Sequence, residues 1–497
     1  MRIALLTERA DFRTWSAEGS WCARLAEGLP EHEFELCPLE ALPGTGTDVP
    51  SERVRLRAAE RMRRGPVLGL RRRRALAAYG ELVSALADQR RVESFPDALY
   101  ALADAARGGG ITALLRSGAA VDTLHRAWQA PGASLAAEAG APVLQDALVA
   151  ADLLERALRP LSLAWQEGGP ERVDLCHVLG GGPALLPALL AKRFHGVPLV
   201  LTEHGLHLRE RLRGYRDAPY GLPVRALLHA FHLQLAKEGY RQAGLITPGS
   251  AFDQRWQEYC GADPGRIRVV YEGTMAADRP EAGPEPERPT LAWVGPIAPH
   301  GGLLEALRAF GELRERYQGL RLRVFGEIPP GAEEYARACR AAAEEFGEDA
   351  RFGGWSGPAA AGAGWVVLLS GSEGPRPRLL AELMLTGRPV VGTDVGVMRE
   401  LLGPTGLLVP PGEHGPLVET CSALLGDAER RARLGRAGRQ RAQELYAVAP
   451  AVEAFREVYL ELAGQVAPVP EAAAAAPTRR PQPFARPAEY WLGVRTG

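Results

Sequence analysis

Polar side chains follow several of the apolar runs that predict strands, and they are of the types that bind or position a ligand. Glu203 and His204 come directly after the run Val197–Thr202, and Glu373 follows another such run. A histidine at a strand end is more often structural than catalytic, so its position alone does not assign a role. The turn Gly180–Gly182 lets a ligand approach the backbone, although a glycine turn before a helix is weak evidence.

Cysteine and metal chemistry are not indicated by the sequence. The six cysteines are Cys22, Cys37, Cys176, Cys260, Cys339 and Cys421. They are scattered and form no C-x-x-C pair, so neither a zinc site nor a disulfide framework is expected. We therefore expect no metal and no cofactor.

Length, charge and hydropathy narrow the class of protein. A chain of 497 residues is too long for one ordinary core, which predicts two domains. Lys+Arg number 59 and Asp+Glu number 60, so the net charge of -1 gives no overall attraction to nucleic acid or to an anionic membrane. No apolar run approaches the roughly 18 residues of a membrane span, and Met1 begins a strand rather than a signal peptide. These features predict a cytoplasmic protein.

The segment from Arg53 to Arg91 is dense in arginine and contains the run Arg71-Arg72-Arg73-Arg74. A nucleic-acid interface is one interpretation, but Ala, Leu and Glu interleave with the arginines and no aromatic ladder accompanies them. A solvated helical insertion is therefore favoured. Docking of the segment on anionic lipid is a third hypothesis.

Strands alternate with helices in both halves of the chain, which predicts parallel sheets with helices on both faces. The predicted strands are Met1–Thr7, Val173–Val178, Val197–Thr202, Leu245–Pro248 and Arg266–Tyr271, then Thr290–Gly295, Leu320–Phe325, Trp365–Ser370 and Pro389–Thr393. The predicted helices include Gly19–Leu29, Ala184–Phe194, Ser250–Tyr259, Leu303–Tyr317, Leu379–Thr386, Ala428–Leu445 and Val452–Leu462. The fold class is thus α/β, with two Rossmann-like, doubly wound domains and a cleft at the carboxyl ends of their sheets.

Two groups of motifs resemble a known family. The run from Leu379 to Glu400, which contains Glu382, Gly387 and Pro389, resembles the sugar-nucleotide-binding signature of family 4 retaining glycosyltransferases, whose architecture is GT-B. The motifs of the first half resemble the DUF3492 subgroup, which includes PelF-type polysaccharide synthases that use a UDP-sugar. Those motifs are Met1–Thr7 with Glu8, Trp21, Gly28-Leu29-Pro30, Thr202-Glu203-His204-Gly205, Leu208–Arg211 and Ile246–Gly249. The resemblance covers about residues 1 to 463.

The resemblance implies a chemistry and a set of site residues. A nucleoside diphosphate leaves as an anion, and without a metal its charge must be met by Arg or Lys side chains and by backbone N–H groups. The implied catalytic residues are His204, Glu373 and Glu382. The implied donor-binding residues are His300, Arg376, Arg378, Thr393 and Asp394. The implied acceptor-side residues are His177, Glu203 and Glu210.

Several of these assignments have an alternative. His177 is either a cleft contact or a core histidine, and Glu203 and Glu210 either touch acceptor or hinge or hydrogen-bond backbone. Arg376 and Arg378 either supply replacement charge for a diphosphate or are solvated loop arginines.

This sequence departs from the family's pattern at its donor-phosphate centre. The family's Arg and Lys positions are occupied by Pro296 and Gly301, and the first carboxylate of its Glu pair falls on Gly374, one position after Glu373. The family's Gly-Gly turn is Ser16-Ala17 here, and its Asn-Gly is Glu272-Gly273. Losing two charge-assisted phosphate contacts removes about 1.5–3 kcal/mol for each hydrogen bond to a charged group.

Together these observations predict an organisation and a function. We expect an N-terminal acceptor-side domain over 1–280 with a helical insertion at about 53–165, a nucleotide-sugar domain over 288–447 after the linker 273–289, a helix crossing back over 448–463 and a disordered tail over 464–497. The predicted enzyme transfers a sugar, with retention, from a nucleoside-diphosphate sugar to a carbohydrate or lipid-linked acceptor in polysaccharide biosynthesis. The alternative is a catalytically impaired GT-B paralogue that acts as partner or regulator of an active glycosyltransferase.

Overall fold

The structure is a computed structural model, and it describes residues 1–9, 17–40, 54–57, 61–62, 67–107, 109–164, 169–216, 218–274, 281–355 and 357–464. The described residues form two compact units. Unit 1 holds Met1–Gly249, Asp253–Val270 and the described residues from Ala454 onward, and unit 2 holds Ser250–Phe252 and Tyr271–Glu453. The predicted tail after Gly464, together with Ser16 of the Ser16-Ala17 turn, lies outside the described residues.

Unit 1 contains eight strands in its described part. They are β1 (Arg2–Arg9), β2 (Glu33–Glu40), β3 (Val54–Leu56), β4 (Arg61–Met62), β5 (Leu163–Ala164), β6 (Leu175–Leu179), β7 (Leu199–Glu203) and β8 (Leu245–Pro248). The helices up to residue 259 are α1 (Ala17–Gly28), α2 (Gly69–Ala87), α3 (Phe95–Arg107), α4 (Thr112–Leu115), α5 (Gly118–Trp128), α6 (Ser134–Ala139), α7 (Leu144–Leu158), α8 (Leu185–His195), α9 (His207–Arg216), α10 (Leu222–Gln242) and α11 (Ala251–Tyr259).

Six of these strands form one parallel sheet in the order β3-β2-β1-β6-β7-β8, and β4 pairs with β5 as a separate antiparallel ribbon. The run Ile3 to Leu6 is wholly buried, which is why its continuous apolar pattern gives a central strand. The strand order reverses between β1 and β6, so the carboxyl ends of these two strands mark the point where such sheets bind ligands.

Unit 2 contains a second parallel sheet of six described strands, in the order β11-β10-β9-β12-β13-β14. The strands are β9 (Thr290–Val294), β10 (Arg321–Phe325), β11 (Ala350–Phe352), β12 (Val366–Leu369), β13 (Val390–Thr393) and β14 (Leu407–Val409). The helices are α12 (Leu303–Arg316), α13 (Glu333–Glu344), α14 (Pro377–Leu385), α15 (Met398–Leu402), α16 (His414–Leu425), α17 (Ala428–Leu445) and α18 (Val448–Gly464), whose later turns belong to unit 1. Here the order reverses between β9 and β12.

The predicted fold class, two Rossmann-like units with parallel sheets, is confirmed. One predicted strand is wrong, because Arg266–Tyr271 forms only the single bridge Ile246↔Ile267 alongside β8. A 3₁₀ turn at Pro264–Arg266 precedes this bridge, and the segment then continues without regular pairing. The sequence analysis also missed β2, whose Pro38 and glutamates obscure its apolar residues.

Candidate functional site

The site in unit 2 lies where the strand order reverses, at the loops that follow β9 and β12. The Trp293 indole N–H donates to Ser370 Oγ at 2.9 Å, and that hydroxyl donates to the Gly302 carbonyl oxygen at 2.7 Å. The Ser372 N–H donates to the His300 carbonyl oxygen at 2.9 Å. These bonds tie the two loops together, so the carboxyl edge of this sheet is a single hydrogen-bonded surface.

Glycines bring the backbones of these loops into direct contact. A Cβ added to Gly301 would lie 1.9 Å from the Pro296 carbonyl oxygen, and one added to Gly302 would lie 2.1 Å from the Ser370 carbonyl oxygen. Gly302 also has a positive φ of 71°. A side chain at position 301 therefore has no space unless the loop itself refolds, because the obstacle is backbone. The position at which the resembled family has a lysine is closed here.

The same packing occurs at the carboxylate position that the sequence comparison placed on Gly374. A Cβ on Gly374 would lie 2.8 Å from the Val395 carbonyl oxygen and 3.0 Å from the Gly396 Cα. The loops after β12 and β13 thus also meet backbone to backbone. The departures at Pro296, Gly301 and Gly374 all belong to this one mode of packing.

Glu382 lies on α14 inside a buried ionic cluster. Arg378 Nε donates to Glu382 Oε1 at 3.0 Å, four residues along the helix, and Arg378 Nη1 donates to Glu272 Oε1 at 3.3 Å. Glu382 is 7% exposed and Glu272 is 4% exposed. Arg378 is therefore a helical, largely buried arginine held by two carboxylates, and it is not the solvated loop arginine of the sequence analysis.

The other predicted donor-binding residues of unit 2, and the predicted catalytic residue Glu373, lie at the ends of β9, β12 and β13 or in the loops that follow these strands. Thr393 is buried, and its hydroxyl donates to the Gly371 carbonyl oxygen. Asp394 is half-buried and accepts from Arg399 Nε at 3.1 Å. His300 and Arg376 have exposed side chains, and Glu373 is half-buried. Among these five residues, only His300 and Arg376 present exposed nitrogen donors to solvent.

Glu400, the last residue of the quoted signature, has a structural task that the sequence analysis did not assign. Its carboxylate accepts from the backbone N–H groups of Ala251 at 2.7 Å and Phe252 at 3.0 Å, which caps the start of α11. The Tyr271 hydroxyl donates to the same carboxylate at 2.6 Å. The spacing of the signature gave no sign of these partners, because they lie about 130 to 150 residues earlier in the chain.

The site in unit 1 lies at the carboxyl ends of β6 and β7. Glu203 is 2% exposed and accepts from the Tyr240 hydroxyl and from Gln257 Nε2, each at 2.8 Å. The backbone N–H of His207 donates to its other oxygen at 3.3 Å. Burial raises the pKa of Glu203 from 4.5 to about 7, although these hydrogen bonds act in the opposite direction. The contacts of Glu203 with Tyr240, Gln257 and the His207 backbone are structural contacts, so of its two predicted roles they match hydrogen bonding within the protein.

The turn Gly180–Gly182 is occupied by a side chain of the protein itself. A Cβ on Gly182 would lie 2.3 Å from the His207 imidazole, and one on Gly181 would lie 2.9 Å from Glu203 Oε1. Arg211 Nε donates to His207 Nε2 at 3.3 Å, and Arg211 also pairs with Glu8 at the end of β1. Burial lowers the pKa of His207 to about 3, so the ring is neutral at pH 7. The sequence analysis did not assign a role to His207, although a histidine that follows Thr-Glu-His-Gly and opens a helix was a usable signal.

His204 is half-buried, and its ring contacts the edge of the Trp21 indole at 5.3 Å between centroids. A Cβ on Gly249 would lie 2.9 Å from the His204 Cα, so this glycine permits the close approach of the two chains. Glu210 has an exposed side chain on α9. His204, which the resemblance implied to be catalytic, thus lies at the carboxyl edge of the unit 1 sheet, directly after β7.

His177 is completely buried in β6 and has both ring nitrogens engaged. Nδ1 pairs with the Tyr459 hydroxyl at 2.7 Å and Nε2 with Thr202 Oγ1 at 2.6 Å. The ring stacks on Phe455 at 5.2 Å, and burial lowers its pKa to about 3. Of the two alternatives for His177, the structure shows the core histidine, because no face of the ring remains for a ligand.

Within the described residues, no group of three or more His, Cys, Asp or Glu side chains is placed to hold a metal ion. The described helices also include none that is long and apolar enough to cross a membrane.

Comparison with known families identifies the two units. The family model described as "Domain of unknown function (DUF3492)" matches residues 18–265, and the model of glycosyl transferases group 1 matches residues 288–427. The chain therefore combines a DUF3492 domain with a glycosyl transferases group 1 domain. This combination supports a GT-B glycosyltransferase of family 4.

A curated relative and two solved structures show the extent of the likeness. D-inositol 3-phosphate glycosyltransferase from Nocardia farcinica is 33% identical over 198 residues, which cover 36% of this chain and 44% of the relative. The match thus spans less than half the length of that curated relative. Sucrose-phosphate synthase from Thermosynechococcus elongatus superposes with a TM-score of 0.59 at 16% identity, covering 93% of this chain and 99% of that chain. Anabaena HepE, solved with UDP and glucose, superposes with a TM-score of 0.56 at 15% identity, covering 93% and 100%. These two structures support the fold alone.

Proposed function

We propose that the protein is a retaining glycosyltransferase that moves a sugar from a nucleoside-diphosphate sugar to a carbohydrate or lipid-linked acceptor in polysaccharide biosynthesis. The observation that carries the proposal is Glu382, a buried carboxylate on α14 that accepts from Arg378 Nε at 3.0 Å. The resemblance of the run Leu379–Glu400 to the family's sugar-nucleotide signature supports this carboxylate as the group that holds the donor. The proposal assigns it ribose or sugar hydroxyls as its ligand.

In this proposal the donor diphosphate lies against the glycine-built loops of unit 2. Close backbone packing brings N–H groups, rather than side chains, to the ligand, and α12 begins there at Gly302 without a side-chain cap. The exposed side chains of Arg376 and His300 supply the donors nearest in sequence. His204 contacts the donor sugar, and the acceptor attacks on the face from which the diphosphate departs. The proposed reaction uses no metal.

A second candidate function is favoured by a specific observation. Gly301 and Gly374 replace two ligand-contacting side chains of the resembled family, and both are closed by backbone atoms at 1.9 Å and 2.8 Å from an added Cβ. Arg378, which could have compensated, is already shared by two carboxylates. The second candidate is therefore a non-catalytic paralogue that keeps the fold and acts on an active glycosyltransferase.

Calorimetric titration with UDP, GDP and UDP-glucose separates the two candidates. UDP-glucose is the first probe because HepE, a structural neighbour, was solved with it. Micromolar binding, together with UDP release when acceptor glycans are added, supports the enzyme. No heat up to millimolar ligand from demonstrably folded protein would rule out the nucleotide-sugar enzyme and leave the second candidate.

A matched pair of variants makes the titration specific for the proposed site. Glu382→Gln should weaken UDP-glucose binding about 10- to 100-fold, because one charge-assisted hydrogen bond contributes about 1.5–3 kcal/mol. Glu419→Gln makes the same chemical change at an exposed position of α16 and should bind as the wild type does. Equal binding by both variants would remove Glu382 from the donor site.

A further inference from the structure

The first two turns of α2 have no buried face. Every residue from Leu68 to Arg74 is exposed, and burial along this helix begins only at Ala75. Leu68 is 69% exposed and Leu70 is 73% exposed. Most helical stability in proteins comes from packing one face against a core. These two turns, Leu68–Arg74, lack that support and are called the α2 tip below.

The α2 tip joins exposed apolar side chains to a local positive charge. Arg71, Arg72, Arg73 and Arg74 are all exposed, and the first turn contains no acidic residue. The next acidic residue along the helix, Glu81, is paired with Arg91. In the described part of the chain, no carboxylate pairs with any of the four guanidinium groups. The tip therefore carries four positive charges that no described carboxylate pairs with, on a protein whose net charge is -1.

The combination of exposed leucines and arginines at the α2 tip favours one class of binding partner. Phosphates of a nucleic acid would use the arginines but would leave both leucines in water. An anionic bilayer uses both, since its headgroups attract arginine and its acyl boundary takes up the leucines. We propose that the α2 tip docks this protein on an anionic lipid bilayer. The inference does not depend on the proposed function, because it concerns binding alone.

Vesicle flotation of the full-length protein tests the proposal. Vesicles of phosphatidylglycerol and phosphatidylcholine should carry the protein upward, and vesicles of phosphatidylcholine alone should not. High salt should release it, because exposed charges are screened. Equal binding to both kinds of vesicle, or none to either, would overturn the proposal.

Paired variants assign the binding to the tip. Arg72→Gln with Arg73→Gln should lower partitioning about 30-fold, since each arginine near the surface contributes about 1 kcal/mol. Arg433→Gln with Arg436→Gln removes the same charge from exposed positions of α17 and should leave partitioning unchanged. Equal losses from the two pairs would show general charge attraction and would overturn the assignment to the tip.

Substitution of the two leucines distinguishes binding to lipid from binding to other anions. Leu68→Ser with Leu70→Ser should reduce vesicle binding at least about tenfold. Serine at position 68 is a favourable helix N-cap, so the variant is expected to fold, and circular dichroism checks this. Leu460→Ser, at a position that is 60% exposed on α18, is the matched apolar control. Binding to RNA that persists in the leucine variant, with no vesicle binding by the wild type, would point to a nucleic acid and contradict the proposal.

Discussion

The carboxyl edges of the two sheets occupy equivalent places in their units, but they are built from different groups. In unit 1 the glycine turn is covered by side chains, with His207 lying on Gly182 and Glu203 on Gly181. In unit 2 the glycines meet backbone, with Gly301 against Pro296 and Gly374 against Val395. A side chain can move when its neighbour grows, whereas hydrogen-bonded backbone cannot. In unit 1, a second substitution that shortens the contacting side chain should therefore recover stability lost when one of these glycines is replaced. In unit 2, no second substitution should do so.

The two edges also keep their buried polar groups in different charge states. Burial raises the pKa of Glu203 to about 7 and lowers the pKa of His207 to about 3, which favours the neutral forms in unit 1. Unit 2 instead holds Arg378 between Glu382 and Glu272 in a compact ionic cluster. The raised pKa of Glu203 makes stability depend on pH between about 4.5 and 7, and the ionic cluster makes stability depend on each of its charged partners being present.

The largest expected effect is the loss of the shared arginine of unit 2. Arg378→Ala leaves two buried carboxylates without their cation and should reduce the free energy of unfolding by about 4 kcal/mol. Arg433→Ala, at an exposed position of α17, should change it by less than about 0.5 kcal/mol. Urea unfolding of both variants measures the difference. Similar small losses would show that the cluster is not the ionic support described here.

The next effect tests whether the family's lysine can be restored. Gly301→Lys should reduce the free energy of unfolding by about 3 kcal/mol, because its Cβ would overlap the Pro296 carbonyl oxygen, and it should not increase affinity for UDP. Gly415→Lys in α16 is the control, since nothing lies within 4 Å of a Cβ there. A stable Gly301→Lys protein that binds UDP more tightly would contradict the closed-loop interpretation.

A pH dependence distinguishes the neutral edge of unit 1. Between pH 4.5 and about 7 the folded chain keeps a proton on Glu203 that the unfolded chain releases, so this group's contribution to stability falls as pH rises and is constant above about 7. From pH 5 to pH 8, the stability of the wild type relative to Glu203→Gln should fall by about 3 kcal/mol. The buried histidines titrate in both proteins, so the difference isolates Glu203. Urea unfolding at the two pH values measures it, and a difference that does not change with pH would refute the raised pKa.

The smallest expected effect is a loss of stability at Gly182 that a second substitution should partly reverse. Gly182→Ala should reduce the free energy of unfolding by about 2 kcal/mol, from its positive φ of 60° and from overlap with the His207 ring. Gly196 also has a positive φ, of 73°, but nothing lies within 4 Å of a Cβ added there. Gly196→Ala should therefore lose only the part of the free energy of unfolding that comes from backbone strain. Adding His207→Ala to Gly182→Ala should recover part of the loss in a double-mutant cycle. Strict additivity would mean that the ring is not the obstacle.

Sequence patterns predicted the core strands of both sheets because buried parallel strands are continuous apolar runs, as at Ile3 to Leu6 and Val366–Leu369. They failed where a strand carries polar residues, as in β2, and where an apolar run only lies beside a sheet, as at Arg266–Tyr271. Among the predicted site residues, Glu203, His204 and Glu382 were implied by the family resemblance and remain predictions. The partners Tyr240 and Gln257 of Glu203 could not be predicted, because they lie 37 and 54 residues away in the chain and only folding brings them close.

The sequence by itself determined the α/β class, the family and the absence of cations at positions 296 and 301, since each of these follows from local residue order. The tertiary structure alone decided what those positions mean. It showed that Gly301 is closed by backbone, that Arg378 is shared by two carboxylates and that His177 is a core residue. The physical reason is that pattern and propensity act over a few neighbouring residues. Burial and charge compensation depend on groups such as His177 and Tyr459, or Arg378 and Glu272, that are more than a hundred residues apart in the chain. Steric closure, as at Gly301, depends on a loop conformation that only the folded protein fixes.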